Sequence, residues 1–170
     1  MNTRRMNIGK KFRMIAILAL MICCMMPAAY VNGASGYGFR SQGVTVKPGG
    51  KAAKFIDANR KYLSKTTNAK SCIAKSGYDV TRVYTYFTIV TYASKKNGKG
   101  KLESITITNP QVVTPEGLSC GMDESEVKKC YDKAKSNEGV YIASKGKTKL
   151  YIETANGKVK SIEYLYSGKY

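Results

Sequence analysis

The chain has 170 residues, 43% hydrophobic and 24% charged, with 29 lysines and arginines against 11 acidic residues and a formal net charge of +18. That length suits one domain with one core and is small for two independent ones. With no histidine anywhere, Ser–His and Cys–His nucleophile pairs are excluded, and a general base near neutral pH would have to be a perturbed carboxylate, lysine or cysteine.

Arg4, Arg5, Lys10, Lys11 and Arg13 precede an apolar run from Ile15 to about Met26, a Pro-Ala-Ala break, and the small-residue site Asn32-Gly33-Ala34. A basic start, a short apolar stretch and such a site read as a secretory signal peptide over residues 1–34. The apolar run is shorter than the ~20 residues that span a bilayer, so a membrane enters only through an uncleaved leader. Cys23 and Cys24 do not follow the small residue that a lipoprotein signal carries. Cleavage after Ala34 removes five basic residues and no acidic one, leaving residues 35–170 with a net charge of about +13. Outside a cell such a charge favours an anionic cell-surface polymer. Scattered over loops at Lys47, Lys51 and Lys54, it also serves to solubilise an exported domain.

Gly38 to Val46 reads as a strand that ends at the turn Pro48-Gly49-Gly50. Ala52, Phe55, Ile56, Tyr62 and Leu63 then fall on one helical face, with Asn59 as a polar exception. Thr66 to Lys70 is a polar loop, and Val83 to Tyr92, VYTYFTIVTY, has the β-branched and aromatic density of a central strand. The turn Lys95 to Gly100 returns the chain into Leu102 to Ile107 as the second arm of a hairpin.

The second half repeats this plan. Leu118 to Cys120 is a short strand, and Asp123, Glu124 and Glu126 form a capping box at a helix start, with three carboxylates at the positive end of the helix dipole. Val127, Cys130, Tyr131 and Ala134 line its buried face. Tyr141 to Ala143, Leu150 to Glu153 and Val159 to Tyr166 complete a meander through turns at Lys145-Gly146-Lys147 and Asn156-Gly157-Lys158. NGKGKLESITI at 97–107 echoes NGKVKSIEYL at 156–165. The predicted fold is therefore α+β. Two helix-plus-antiparallel-sheet halves in tandem, 38–109 and 112–166, place their helices on one face of a shared sheet.

GLSCGMDESEVKKCYDKA at 117–134 resembles the helix-entry motif Gly-Met/Leu-Ser/Thr-x-x-Glu-Val of small exported domains of the SmpA/BamE type. The two-half arrangement is similar to the β-lactamase inhibitor protein fold. The spacing from Cys72 through Gly77 and the tyrosine-rich strand to Thr114-Pro115-Glu116-Gly117 resembles uncharacterised exported proteins of gut Clostridia, which usually carry Tyr-Gly where this chain has Tyr131-Asp132. The resemblance covers most of residues 38–166. It implies non-catalytic, protein-contacting or envelope-associated roles and carries over no catalytic residue.

Cys72, Cys120 and Cys130 allow at most one internal disulfide, from Cys72 to Cys120 or to Cys130, since Cys120 and Cys130 sit too far apart along their own elements. They read equally as small apolar core residues. No CxxC spacing accompanies them, so no metal or other cofactor is expected. Tyr84, Tyr86, Tyr92, Tyr151, Tyr164 and Tyr166 are either sheet-core residues or an exposed aromatic face, with Lys95, Lys96, Lys99, Lys145, Lys147 and Lys149 as its basic rim. The reading is a secreted or cell-wall-associated, non-catalytic binding module for a protein or an anionic cell-surface polymer, without a specific nucleic-acid partner. The alternative is an exported thiol-dependent enzyme or redox protein using one of the three cysteines.

Overall fold

The computed structural model describes residues 36–168 except 73 and 75; the leader expected over residues 1–34 lies outside them. Strands β1 (Phe39–Ser41) and β2 (Val44–Val46) pair antiparallel. Gln42 and Gly43 between them take φ of 48° and 75°, the left-handed pair that a two-residue hairpin turn needs. The predicted strand from Gly38 to Val46 is thus folded back on itself.

Helix α1 (Ala53–Ala58) buries Phe55 and Ile56 and is followed by a single 3-10 turn at Arg60–Tyr62. Asn59 is the reason it stops. Its side chain is fully buried, its Nδ2 donates to the Phe55 carbonyl at 2.8 Å, and its Oδ1 accepts from the Ser41 hydroxyl at 2.7 Å. The amide competes for the helix's own backbone acceptor and ties α1 to β1.

The chain then enters β3 (Leu63–Lys70), β4 (Tyr78–Tyr84), β5 (Thr88–Ala93) and β6 (Lys101–Ile107). After α2 (Ser125–Cys130) come β7 (Lys135–Asn137), β8 (Val140–Lys145), β9 (Thr148–Ala155) and β10 (Lys158–Tyr166). All eight form one antiparallel sheet in the order β3-β4-β5-β6-β10-β9-β8-β7. Both edge strands discourage further pairing, β3 through Lys65 and Lys70 and β7 by being three residues long.

The α+β plan with two helix-plus-sheet halves is corrected by this architecture. The described residues are mostly antiparallel β, 50% strand against 11% helix, because each predicted helix shrinks to six residues. Thr66 to Lys70 belongs to β3 and is no loop; an edge strand has little apolar face to show in its sequence. The predicted single strand over 83–92 is two strands, broken where the Tyr84 N–H donates to the Phe87 carbonyl at 2.9 Å. That turn lets Tyr84, Phe87 and Ile89 all face inward, which strict alternation along one strand forbids. Leu118 to Cys120 is also no strand; Ser119 makes an isolated bridge to Val113 while Leu118 and Cys120 are buried.

The core lies on one face of the sheet. Ile89, Ile105, Ile107, Ile162 and Tyr164 meet Phe39 and Phe55 there. Phe39 holds the centre, with ring centroids 5.1 Å from Phe87, 5.9 Å from Phe55 and 6.0 Å from Tyr164. Two glycines permit close approach around this cover. A Cβ on Gly49 would lie 2.4 Å from the Tyr166 ring, and one on Gly100 would lie 1.8 Å from the Tyr92 carbonyl oxygen. Among the described residues no helix is long and apolar enough to cross a membrane.

Replacing Phe39 with alanine should cost roughly 3–5 kcal/mol, as for a buried aromatic, while Val113→Ser, at a residue 59% exposed, should stay within about 0.5 kcal/mol. Urea unfolding followed by tyrosine fluorescence measures both. Equal effects would mean that the β1–β2 hairpin does not cap the core.

Candidate functional site

Antiparallel register decides which side chains share a surface. Across the outward face one row runs from Lys65 in β3 through Val83, Thr88, Thr106, Glu163, Tyr151 and Ile142 to Lys135 in β7. None of these residues belongs to the core cluster. Glu163 stands near the middle of the row. Burial raises its carboxyl above the usual range, against a hydrogen bond from Ser104 and with the help of the nearby Glu153 charge. This face is mixed in charge and does not offer an anion a uniform surface.

The same register collects the turns at two ends. β4 and β5 pair Tyr78 with Ala93, β5 and β6 pair Tyr92 with Lys101, and β9 and β10 pair Thr148 with Tyr166. With β6 and β10 matched through Ser104 and Leu165, the connections at 71–77, 94–100 and 146–147 all fall at one end. Lys95, Lys96, Lys99, Lys145 and Lys147 are therefore brought together there, and Lys149 projects from the first residues of β9. Lys70 and Lys101 join them. Glu138 in the β7–β8 turn and Asp123, paired with Lys158 at 2.8 Å, lie at the other end, while Asp79, which follows Tyr78 in β4, lies at the basic one.

The predicted tyrosines are not brought together. Tyr84 and Tyr164 are buried in the core, and Tyr86 lies in the β4–β5 turn at the far end, 5.8 Å edge-on to Tyr62. Tyr151 stands in the outward row. Only Tyr92 and Tyr166 reach the basic end, where the Tyr92 hydroxyl donates to the Ser76 carbonyl at 2.8 Å and Tyr166 packs over Gly49. Two tyrosines that the alternating pattern misses do lie among the lysines. Lys96 Nζ is 6.0 Å from the Tyr78 ring centroid and Lys145 Nζ is 5.9 Å from that of Tyr37. Such cation–π contacts hold lysines in place without neutralising them. Tyr37 precedes β1 and Tyr78 opens β4, so neither sits in an alternating run. Between Lys51 and Lys101 the same end has a hollow of about 620 Å³ floored by Ala53, Ala93 and Tyr92.

The acidic cluster near α2 is not a capping box. The residue preceding α2, Glu124, makes no side-chain cap; it accepts from the Tyr141 hydroxyl at 2.9 Å. Asp123 is drawn to Lys158, which lowers its carboxyl through a hydrogen bond and charge, and Glu126 accepts from Lys129 at 2.6 Å. Opposite charges within reach hold these carboxylates in place of the first free amides.

All three cysteines are free, Cys72 exposed, Cys130 half-buried and Cys120 buried. Burial raises both the Cys120 and Cys130 thiols. The Cys72 thiol donates to Asp79 Oδ2 at 3.9 Å. Among the described residues no three of the cysteines and acids cluster as metal ligands would.

Beneath α2, the Tyr131 hydroxyl donates to Glu116 Oε2 at 2.8 Å and accepts from the Thr114 hydroxyl at 3.0 Å. Burial, then the neighbouring Tyr164 and Glu116, pushes Tyr131 far above the ordinary tyrosine range, and burial does the same to Tyr164. Unfolded tyrosine ionises near pH ~10. Because the folded values are raised, this contribution to stability is whole below about pH 10 and is lost as pH climbs beyond it. Spectrophotometric titration should show three tyrosines, Tyr131, Tyr164 and the likewise buried Tyr84, that ionise only as the protein unfolds; all tyrosines titrating near pH ~10 in a folded protein would contradict their burial. Alkylation of the native protein, followed by mass spectrometry, should modify Cys72 first and Cys120 only on unfolding. No family model, no curated protein and no solved structure matches this chain, so its function has to be read from its own geometry and charge.

Proposed function

We propose that this protein is an exported, envelope-associated, non-catalytic module that holds an anionic cell-surface polymer against the basic end of its sheet. One observation carries the reading. Strand register brings two lysine groups, 95–101 and 145–149, to one end although they are far apart in sequence. A repeating polyanion meets several cations there at once, and weak contacts of ~0.3–1 kcal/mol each sum to useful retention. Tyr37 and Tyr78 add flat surfaces for sugar or phosphate-linked units. The outward sheet face supports this less well, since Glu163 and Glu153 oppose a polyanion. The thiol reading has less behind it, because Cys120 and Cys130 are raised by burial.

The test compares two quadruple variants of equal charge. Lys95, Lys96, Lys147 and Lys149 changed to glutamine should weaken binding to a poly(glycerol phosphate) matrix roughly tenfold or more, from four such contacts. Changing Lys61, Lys65, Lys158 and Lys160, which lie toward the opposite turns, should leave most of the retention. Binding of the unaltered protein should fall steeply as salt rises through the physiological range. Equal losses in the two variants would reduce the effect to net charge and sink the assignment of the site.

A further inference from the structure

A second cavity, of about 560 Å³, opens on the inner side of β3 and β4, between α1 and the β5–β6 turn. Ile56 and Leu63 supply apolar surface to it, and Arg60, Arg82 and Lys99 line it with positive charge. Arg82 is the unusual member, since only 3% of it is exposed. Its Nη1 donates to Thr91 Oγ1 at 2.9 Å, and its Nη2 donates to the carbonyls of Asn97 at 3.0 Å and Gly98 at 2.8 Å. Every one of these acceptors is neutral. Among the described residues no carboxylate pairs with it, and these bonds take three of its five N–H donors.

Holding the turn does not account for a buried charge. Asn68 already pins the turn, donating from Nδ2 to Asn97 Oδ1 at 2.8 Å and accepting from the Asn97 N–H at 2.7 Å. A buried guanidinium without a counter-charge carries a desolvation penalty that neutral acceptors offset only in part. The acid in the cavity wall, Asp57, is occupied by Lys99 at 2.5 Å. Arg60 is exposed and forms no ion pair among the described residues. The wall therefore keeps a surplus of two positive charges, one of them buried.

We propose that this cavity binds a single oxyanion group, phosphate or carboxylate, carried on a small body that packs against Ile56 and Leu63. The anion supplies the counter-charge that Arg82 lacks and accepts from its guanidinium, with Arg60 closing from solvent. A body of a few heavy atoms fits the volume. The site differs from the basic end in kind: it is one open hollow for one group, and it stands or falls without the polymer.

Glycerol 3-phosphate and butyrate, titrated separately into the full chain, test it, with the Arg82 side-chain N–H and the Asn97 and Gly98 amides followed by NMR. At least one probe should give saturable shifts centred on these signals, and the probe that binds identifies the group as phosphate or carboxylate. Arg60→Gln, at an exposed position, should weaken that binding about tenfold, and Lys133→Gln should leave it within about twofold. Arg82→Gln should abolish it; if that variant does not fold, Arg60→Gln decides. Non-saturable shifts with both probes, or equal loss in Arg60→Gln and Lys133→Gln, would overturn the proposal. Failure here leaves the retention of polymer by the lysine end untouched, because that assay changes different residues.

Discussion

β6 and β10 lie far apart in the chain, and the pairing of Ile107 with Ile162 and Ile105 with Tyr164 joins them into one sheet. Nothing else in the sheet links the strands before α2 to those after it, since every other ladder connects strands adjacent in sequence. The seam is also the middle of the core: Ile105, Ile107, Ile162 and Tyr164 are fully buried, directly below Phe39. Hydrophobic burial and strand pairing therefore reinforce the same alignment, and a slip of β10 by one residue would turn Ile162 and Tyr164 to the outward face. The position of every turn follows from that register, and with it the meeting of the two lysine groups.

The inner face is covered by little regular structure. A six-residue helix, a two-stranded hairpin and the stretch around α2 suffice because their apolar residues are large: Phe39, Phe55, Tyr131 and Leu118 each lose nearly all contact with water. Helices this short gain little from their own hydrogen bonds and depend on tertiary anchors. Asn59 anchors α1 to β1, and the Tyr131 hydroxyl anchors the end of α2 to Thr114 and Glu116. The polar groups buried for this purpose are satisfied.

Much of the strand inventory was legible in the residues. Asn156-Gly157 forms the left-handed pair its composition implies, with φ of 53° and 69°, and the hairpin through Lys95 to Gly100 pairs β5 with β6. Val127, Tyr131 and Ala134 are buried as their spacing suggests. Other features turn on tertiary forces that no local pattern records. Thr85-Tyr86-Phe87 contains no glycine, proline or asparagine, yet the chain turns there because Phe87 is drawn to Phe39 and stacks on Tyr84 at 4.9 Å. The helical period from Ala52 to Leu63 persists past the point where Asn59 ends the helix. Asp123 and Glu126 have the spacing of a capping box, but Lys158 and Lys129 offer full charges in place of amide dipoles. For the candidate site, the lysines were visible as a set while their convergence was not, because it is a property of register across distant strands. The tyrosine alternation misled for the same reason: Tyr84 and Tyr92 fall on opposite faces once the turn at 85–87 separates their strands.

The concentration of lysines at one end costs the fold little. These side chains extend from turns into water, where screening over about 8 Å at physiological salt limits their mutual repulsion. The ion pairs among the described residues are exposed ones, which contribute little to stability, so the protein does not spend its positive charge on holding itself together. Of the lysines gathered at the basic end, Lys99 pairs with Asp57, and Lys96 and Lys145 rest on tyrosine rings that leave their charge intact. A fold secured by an apolar seam can carry an unneutralised cationic edge, and it is the separation of those two tasks between core and turns that makes the edge available to a partner of opposite charge.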